Sequence, residues 1–135
     1  MKIVASLDEV DMVVAYLEAN ISENTIVFLR GDLAAGKTTL VQAVAMARGI
    51  EGEATSPTFS LQHYYGNGLY HYDLYRINDQ EFMNMGIFES FEENGWHLIE
   101  WGSKSIENLL RDAGYNVAVV NIEQYDDKRK YEIVM

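Results

Sequence analysis

A chain of 135 residues, 48% hydrophobic, is long enough to bury its own core, so one domain spanning 1–135 is expected. Its formal net charge of −11 argues against tight direct binding to a phosphate backbone, which needs clustered Lys and Arg. There is no cysteine, which excludes disulfides and thiolate metal sites and fits a cytoplasmic compartment. No apolar run reaches the roughly 20 residues of a membrane span, so no membrane contact is expected. The acidic surface either meets a basic protein partner or serves solubility alone.

Lys2-Ile3-Val4-Ala5 reads as a short strand. Ser6 and Glu9 have capping-box spacing, and Val10, Val13, Val14 and Leu17 recur at helical intervals, so a helix is expected over 7–19. After a turn, Thr25-Ile26-Val27-Phe28-Leu29 is a short β-branched and apolar run, the pattern of a fully buried strand. Gly31-Asp32-Leu33-Ala34-Ala35-Gly36-Lys37-Thr38 then matches G-x-x-x-x-G-K-[ST], a phosphate-binding loop. The glycines let successive N–H groups of Asp32, Leu33, Ala34, Ala35 and Gly36 turn inward on phosphate oxygens. Lys37 reaches the β- and γ-phosphates, and the Thr38 hydroxyl takes a Mg²⁺ position. A helix over 39–48, closed by Gly49, aims its positive end at the anion. A nucleotide such as ATP, with Mg²⁺, is the implied ligand.

The polar stretch over 51–58 holds the only proline, Pro57. Ser56 and Thr58 place hydroxyls where such proteins sense the γ-phosphate, but an ordinary Ser/Thr/Pro loop fits equally well. Two strands over 59–65 and 69–75 flank Gly66-Asn67-Gly68, a hairpin signal. On the second, His71, Asp73 and Tyr75 share one face. Two ligands without a third make a metal site there improbable, and His71 reads as a polar group satisfied within the fold. The crowd of Tyr64, Tyr65, Tyr70, Tyr72 and Tyr75 reads as strand packing.

Short helices are expected over 78–85 and 87–93. Trp96-His97-Leu98-Ile99-Glu100-Trp101 is an apolar strand ending in a carboxylate, the pattern whose acid holds or orients Mg²⁺ and its water. A helix over 103–111 should turn Ile106, Leu109 and Leu110 inward. A strand over 116–122, a turn over Asp126-Asp127-Lys128-Arg129 and an antiparallel return over 130–134 complete the chain.

In order, the chain shows the phosphate loop, Ser56-Pro57-Thr58-Phe59, His71-Tyr72-Asp73-Leu74-Tyr75-Arg76, Met85-Gly86-Ile87 and Ile99-Glu100-Trp101. In these motifs the chain resembles the TsaE family of small bacterial P-loop ATPases, over about 25–101. The resemblance implies a role in forming the threonylcarbamoyl group on adenosine 37 of tRNA. It also implies partners homologous to TsaD and TsaB, and contact with tRNA only through them. It implies that Lys37 binds the phosphates, that Thr38 and Glu100 hold Mg²⁺, and that Thr39 meets the α-phosphate region. Thr58 would lie in the γ-phosphate-sensing loop, and Asp73 would be a polar residue needed for hydrolysis. Trp101 is assigned no chemistry. Leu7 and Arg129, from flanking loops, are candidates for a base pocket that no spacing fixes. The family commonly has Gly where this chain has Ala34; if that position needs φ > 0, alanine costs on the order of 1 kcal/mol.

The expected architecture is α/β and P-loop NTPase-like, with a central mostly parallel sheet, an antiparallel edge hairpin and flanking helices. The expected activity is Mg²⁺-dependent ATP hydrolysis, weak alone and partner-dependent. Three alternatives are weighed against it. A small nucleotide or metabolite kinase would normally need a lid insertion and several phosphate-clamping arginines; the chain has five arginines, Arg30, Arg48, Arg76, Arg111 and Arg129, and no long insertion. A GTPase would carry N-K-x-D, which is absent. A non-catalytic, nucleotide-dependent interaction module differs only in turnover, which the sequence does not show.

Overall fold

The most apolar segment of the chain lies at the middle of the sheet. In the computed structural model, which describes residues 1–32, 36–50 and 61–135, β2 (Thr25–Arg30) is buried over its first five residues. It pairs in parallel with β5 (Trp96–Glu100) on one side and with β6 (Asn116–Tyr125) on the other. Successive side chains of a strand point to opposite faces. Val27 and Leu29 therefore join one core with α1 (Val10–Asn20) and α2 (Lys37–Ala47), through Val13, Val14, Leu17, Leu40, Val41 and Val44. Ile26 and Phe28 join a second core on the opposite face, with Phe82 of α3 (Asp79–Asn84) and Ile106 and Leu110 of α4 (Lys104–Asp112). A 3₁₀ helix over Ile87–Glu92 adds Ile87 and Phe91 to that second core.

The remaining strands are β1 (Lys2–Ala5), β3 (Gln62–Gly66), β4 (Leu69–Asp73) and β7 (Lys128–Val134). The seven strands run in the order β1-β7-β6-β2-β5-β4-β3. The middle four, β6, β2, β5 and β4, are parallel, and both margins are antiparallel: β3 on β4, and β7 on β6 with β1 outside it. The fold is thus α/β with a mixed sheet that is parallel in its centre, as the sequence led us to expect. The hairpin turn is a two-residue loop with φ of 51° at Asn67 and 74° at Gly68, the positive values that match the twist of paired strands.

Several boundaries differ from the sequence expectation. The first turn of the segment over 7–19 is a 3₁₀ turn, Leu7–Glu9, in which Glu9 Oε1 accepts from the Ser6 N–H at 3.0 Å. β6 runs three residues beyond Ile122, because β7 supplies an antiparallel partner as far as Tyr125. On α4 the inward stripe is centred between Ile106 and Leu110 and takes in Glu107, leaving Leu109 39% exposed, so the inward placement of Leu109 is corrected. No described helix is long and apolar enough to cross a membrane.

Candidate functional site

Parallel register brings the C-terminal ends of β4, β5 and β2 to one edge of the sheet. Asp73 stands opposite Glu100, and Leu29 stands opposite Glu100 on the other side. In doubly wound sheets ligands bind outside this edge. Leu98 and Leu29 face the core beneath α2, so Glu100, two residues beyond Leu98, faces the side that carries Lys37.

The chain leaves β2 at Gly31 and Asp32 and re-enters at Gly36, the N-cap of α2, with φ 105°. The loop residues Leu33, Ala34 and Ala35 lie outside the described residues, as does Thr58. Lys37, Thr38 and Thr39 form the first turn of α2, with Lys37 only 3% exposed. The Lys37 Nζ donates to the Gly31 carbonyl at 2.6 Å and lies 3.6 Å from the centroid of the Trp101 ring. Burial pushes this ammonium below its ordinary pKa, and the carboxylates of Glu100, Asp73 and Asp32 act in the opposite direction. Arg30, Gly31, Asp32, Lys37, Trp101 and Gly102 line a cleft of about 470 Å³.

Glu100 is 3% exposed, and its Oε2 lies 2.5 Å from Nε2 of the fully buried His71. Asp73 is half-buried, and its Oδ1 accepts from the Tyr75 N–H at 3.0 Å. The Tyr75 ring meets Trp101 edge-on at 4.9 Å. Trp101 itself holds φ 63°, a left-handed conformation that is costly for a bulky residue and turns its ring beneath Lys37.

The two base-pocket candidates stand together with each other. Leu7 and Arg129 line a cavity of about 150 Å³ with Ala5, Gln124, Asp127 and Lys128. Arg129 also reaches the N-cap of α2: its Nε lies 2.8 Å from where a Cβ on Gly36 would sit. That Nε is buried and has no hydrogen-bond partner among the described residues. An unpaired guanidinium N–H at the N-terminus of α2 fits an anionic ligand, because burial of an unmet donor is otherwise unfavourable. The Thr38 hydroxyl, in the first turn of α2, and the Glu100 carboxylate, at the end of β5, are hard oxygens, the ligand type that Mg²⁺ takes.

Sequence reasoning did not foresee two contacts at this edge. Trp101 was legible only as the residue after the strand-ending acid; its place under Lys37 depends on a backbone turn. His71 was placed on the face of Asp73, but nothing in the sequence says that β4 lies beside β5 and delivers His71 to Glu100.

A family model described as "Threonylcarbamoyl adenosine biosynthesis protein TsaE" matches residues 4–131. The chain belongs to the TsaE family. It is similar to the tRNA threonylcarbamoyladenosine biosynthesis protein TsaE of Haemophilus influenzae, 38% identical over 87% of this chain and 75% of that protein. It is also similar to the protein of the same name from Bacillus subtilis, 35% identical over 78% of this chain and 66% of the relative. The crystal structure of Bacillus subtilis YdiB superposes with a TM-score of 0.65 at 28% identity, covering 97% of this chain and 82% of that one. The fold and the family resemblance expected from the motifs both stand.

Proposed function

We propose that this chain binds ATP with Mg²⁺ and hydrolyses it as part of the machinery that makes tRNA N6-threonylcarbamoyladenosine. In this reading it acts with TsaB and TsaD homologues and meets tRNA only through them. The observation that carries the proposal is Lys37, buried at the first turn of α2 and facing the edge where Asp73 and Glu100 stand in register. Burial and the positive end of α2 both act against this ammonium, nearby carboxylates only partly offset them, and the same helix N-terminus suits an anion that Lys37 would pair with. Phosphate oxygens would replace the Gly31 carbonyl as acceptors from Lys37 Nζ.

Mg²⁺, when bound, neutralises charge between the β- and γ-phosphates. Thr38 and Glu100 would hold it, and Thr39 and Arg129 would meet the phosphates and flanking parts of the nucleotide. Asp73, beside Glu100 on the neighbouring strand, would orient the water that attacks the γ-phosphate in line. Thr58, which lies outside the described residues, would join them. No covalent intermediate is needed. Catalysis rests on positioning and charge, so protein partners that order the edge would raise turnover.

The test is phosphate release from ATP by the purified chain, with and without the TsaB–TsaD pair. Stimulation by the pair is expected. Equal rates would remove the partner assignment, and no release in either arm would remove the ATPase assignment. Lys37→Ala should weaken nucleotide binding on the order of 10²-fold in calorimetry, as loss of charge-assisted hydrogen bonds implies; wild-type affinity would remove the phosphate-loop assignment.

A further inference from the structure

The chain has two fully buried histidines, and they spend their hydrogen bonds differently. His97, on β5, uses Nε2 to donate to the Glu93 carbonyl at 2.9 Å and accepts the Tyr72 hydroxyl on Nδ1 at 2.7 Å. Those are partners that satisfy a ring within a core. His71, on β4, directs Nε2 to the Glu100 carboxylate at 2.5 Å, and its Nδ1 lies 3.1 Å from the Tyr65 hydroxyl. A carboxylate only accepts, so Nε2–H donates to it and the Tyr65 O–H faces Nδ1. The imidazole is therefore fixed from both sides, by β3 through Tyr65 and by β5 through Glu100.

From this geometry we infer that His71 is a positioning residue for Glu100, and that Tyr65 in turn fixes His71. The inference rests on the assignment of Glu100 to the Mg²⁺ site in the proposed function. The physical need is plain at this edge. Glu100 is the strongest of the three carboxylates acting on the Lys37 ammonium. A carboxylate able to rotate would close onto that ammonium, and the resulting ion pair would withdraw one group from the phosphates and the other from the metal. Donation from His71 Nε2–H holds the Glu100 carboxylate in one rotamer and keeps the two opposite charges available for different ligands. Groups that orient a metal-binding side chain in this way typically contribute 10–100-fold to metal affinity.

The experiment measures Mg²⁺ binding to the protein–ADP complex by calorimetry, with ADP affinity in EDTA measured separately. His71→Leu removes the donor, whereas His71→Gln puts an amide N–H near the position of Nε2. His71→Leu should weaken Mg²⁺ about 10–100-fold while ADP affinity in EDTA stays within about twofold. His71→Gln should recover most of the loss, and Tyr65→Phe should cost several-fold. Without any metal, the His71 Nε2–H proton should give a downfield, slowly exchanging NMR signal that moves upfield in Glu100→Gln. If His71→Leu does not fold, His71→Asn, whose amide is too short to reach Glu100, takes its place beside His71→Gln. Equal Mg²⁺ affinity in the donor-lacking variant and in His71→Gln overturns the positioning role. If Glu100→Gln itself binds Mg²⁺ as the wild type does, the metal assignment of the proposed function fails, and this inference fails with it. Loss in Glu100→Gln with wild-type binding in His71→Leu rejects the positioning role alone.

Discussion

Two carboxylates near the C-terminal edge of the sheet are equally buried and differently held. Glu107, at 2% exposure, lies among three cations: Arg30 at 2.6 Å, Arg111 at 3.0 Å and Lys104 at 3.3 Å. Glu100, at 3% exposure, has its short contact with an imidazole. Burial alone would push the Glu107 carboxyl up, yet the hydrogen bonds from Arg30, Arg111 and Lys104 outweigh it and hold its pKa below the usual carboxylate range. The contrast separates two uses of a buried charge. Glu107 is neutralised by cations of the chain itself and so serves the fold, tying α4 to β2. Arg30 also donates to the Gly102 carbonyl at 3.2 Å, which pins the chain just after Trp101. Glu100 is oriented by a ring, an arrangement suited to an exchangeable cation.

The sharpest way to break that contrast is Glu107→Ala. Removing the buried carboxylate breaks three charge-assisted contacts but leaves partly exposed cations that water can hydrate, so about 2 kcal/mol of stability should be lost. For a chain of this length the thermal midpoint should fall by roughly 6 °C. A fall of only a degree or two would show that the cluster is solvated and that the two carboxylates do not differ in kind.

Glu100→Gln should do the reverse. Its thermal midpoint should stay within about 3 °C of wild type, while the Mg²⁺ needed to support ATP hydrolysis rises at least tenfold. An unchanged metal titration would move Glu100 into the structural class with Glu107.

Acid sharpens the comparison further. A carboxyl whose folded pKa is depressed contributes stability above its unfolded value, near 4.3, and loses that contribution as pH falls through the folded value. Wild-type stability should therefore drop below about pH 4, and Glu107→Gln, followed by its thermal midpoint, should show a flatter acid limb. Parallel limbs in the two proteins would assign the acid sensitivity to other groups.

The smallest expected effect is spectroscopic. Lys37 Nζ rests on the Trp101 ring, and the Arg48 guanidinium lies 4.5 Å from the centroid of Trp96. Nucleotide should draw Lys37 away from Trp101 and change its emission. The change should persist in Trp96→Phe and vanish in Trp101→Phe. A signal that follows Trp96 instead would place the ligand elsewhere.

Much of the fold was legible because local rules suffice for it. The alternation of β2 names its two core faces, Asn67-Gly68 demands a tight hairpin, and Gly36-Lys37-Thr38 opens a helix. What failed was phase. Leu109 was placed inward by its apolarity, but the buried position went to Glu107, because Arg30 and Arg111 made a carboxylate tolerable there. Leu7 and Arg129 fell into one small cavity although they lie at opposite ends of the chain, since β1 and β7 pair at the sheet margin.

By itself the sequence determined the phosphate-loop pattern, the acid at the end of β5, the order of the elements and the family, because spacing along the chain encodes each of them. The tertiary structure alone decided which strands are neighbours. Setting β4 beside β5 brought His71 to Glu100, and the left-handed turn at Trp101 put a ring beneath Lys37. Those contacts span dozens of residues, and only the closing of the sheet, driven by burial of both its faces, places them within hydrogen-bonding distance.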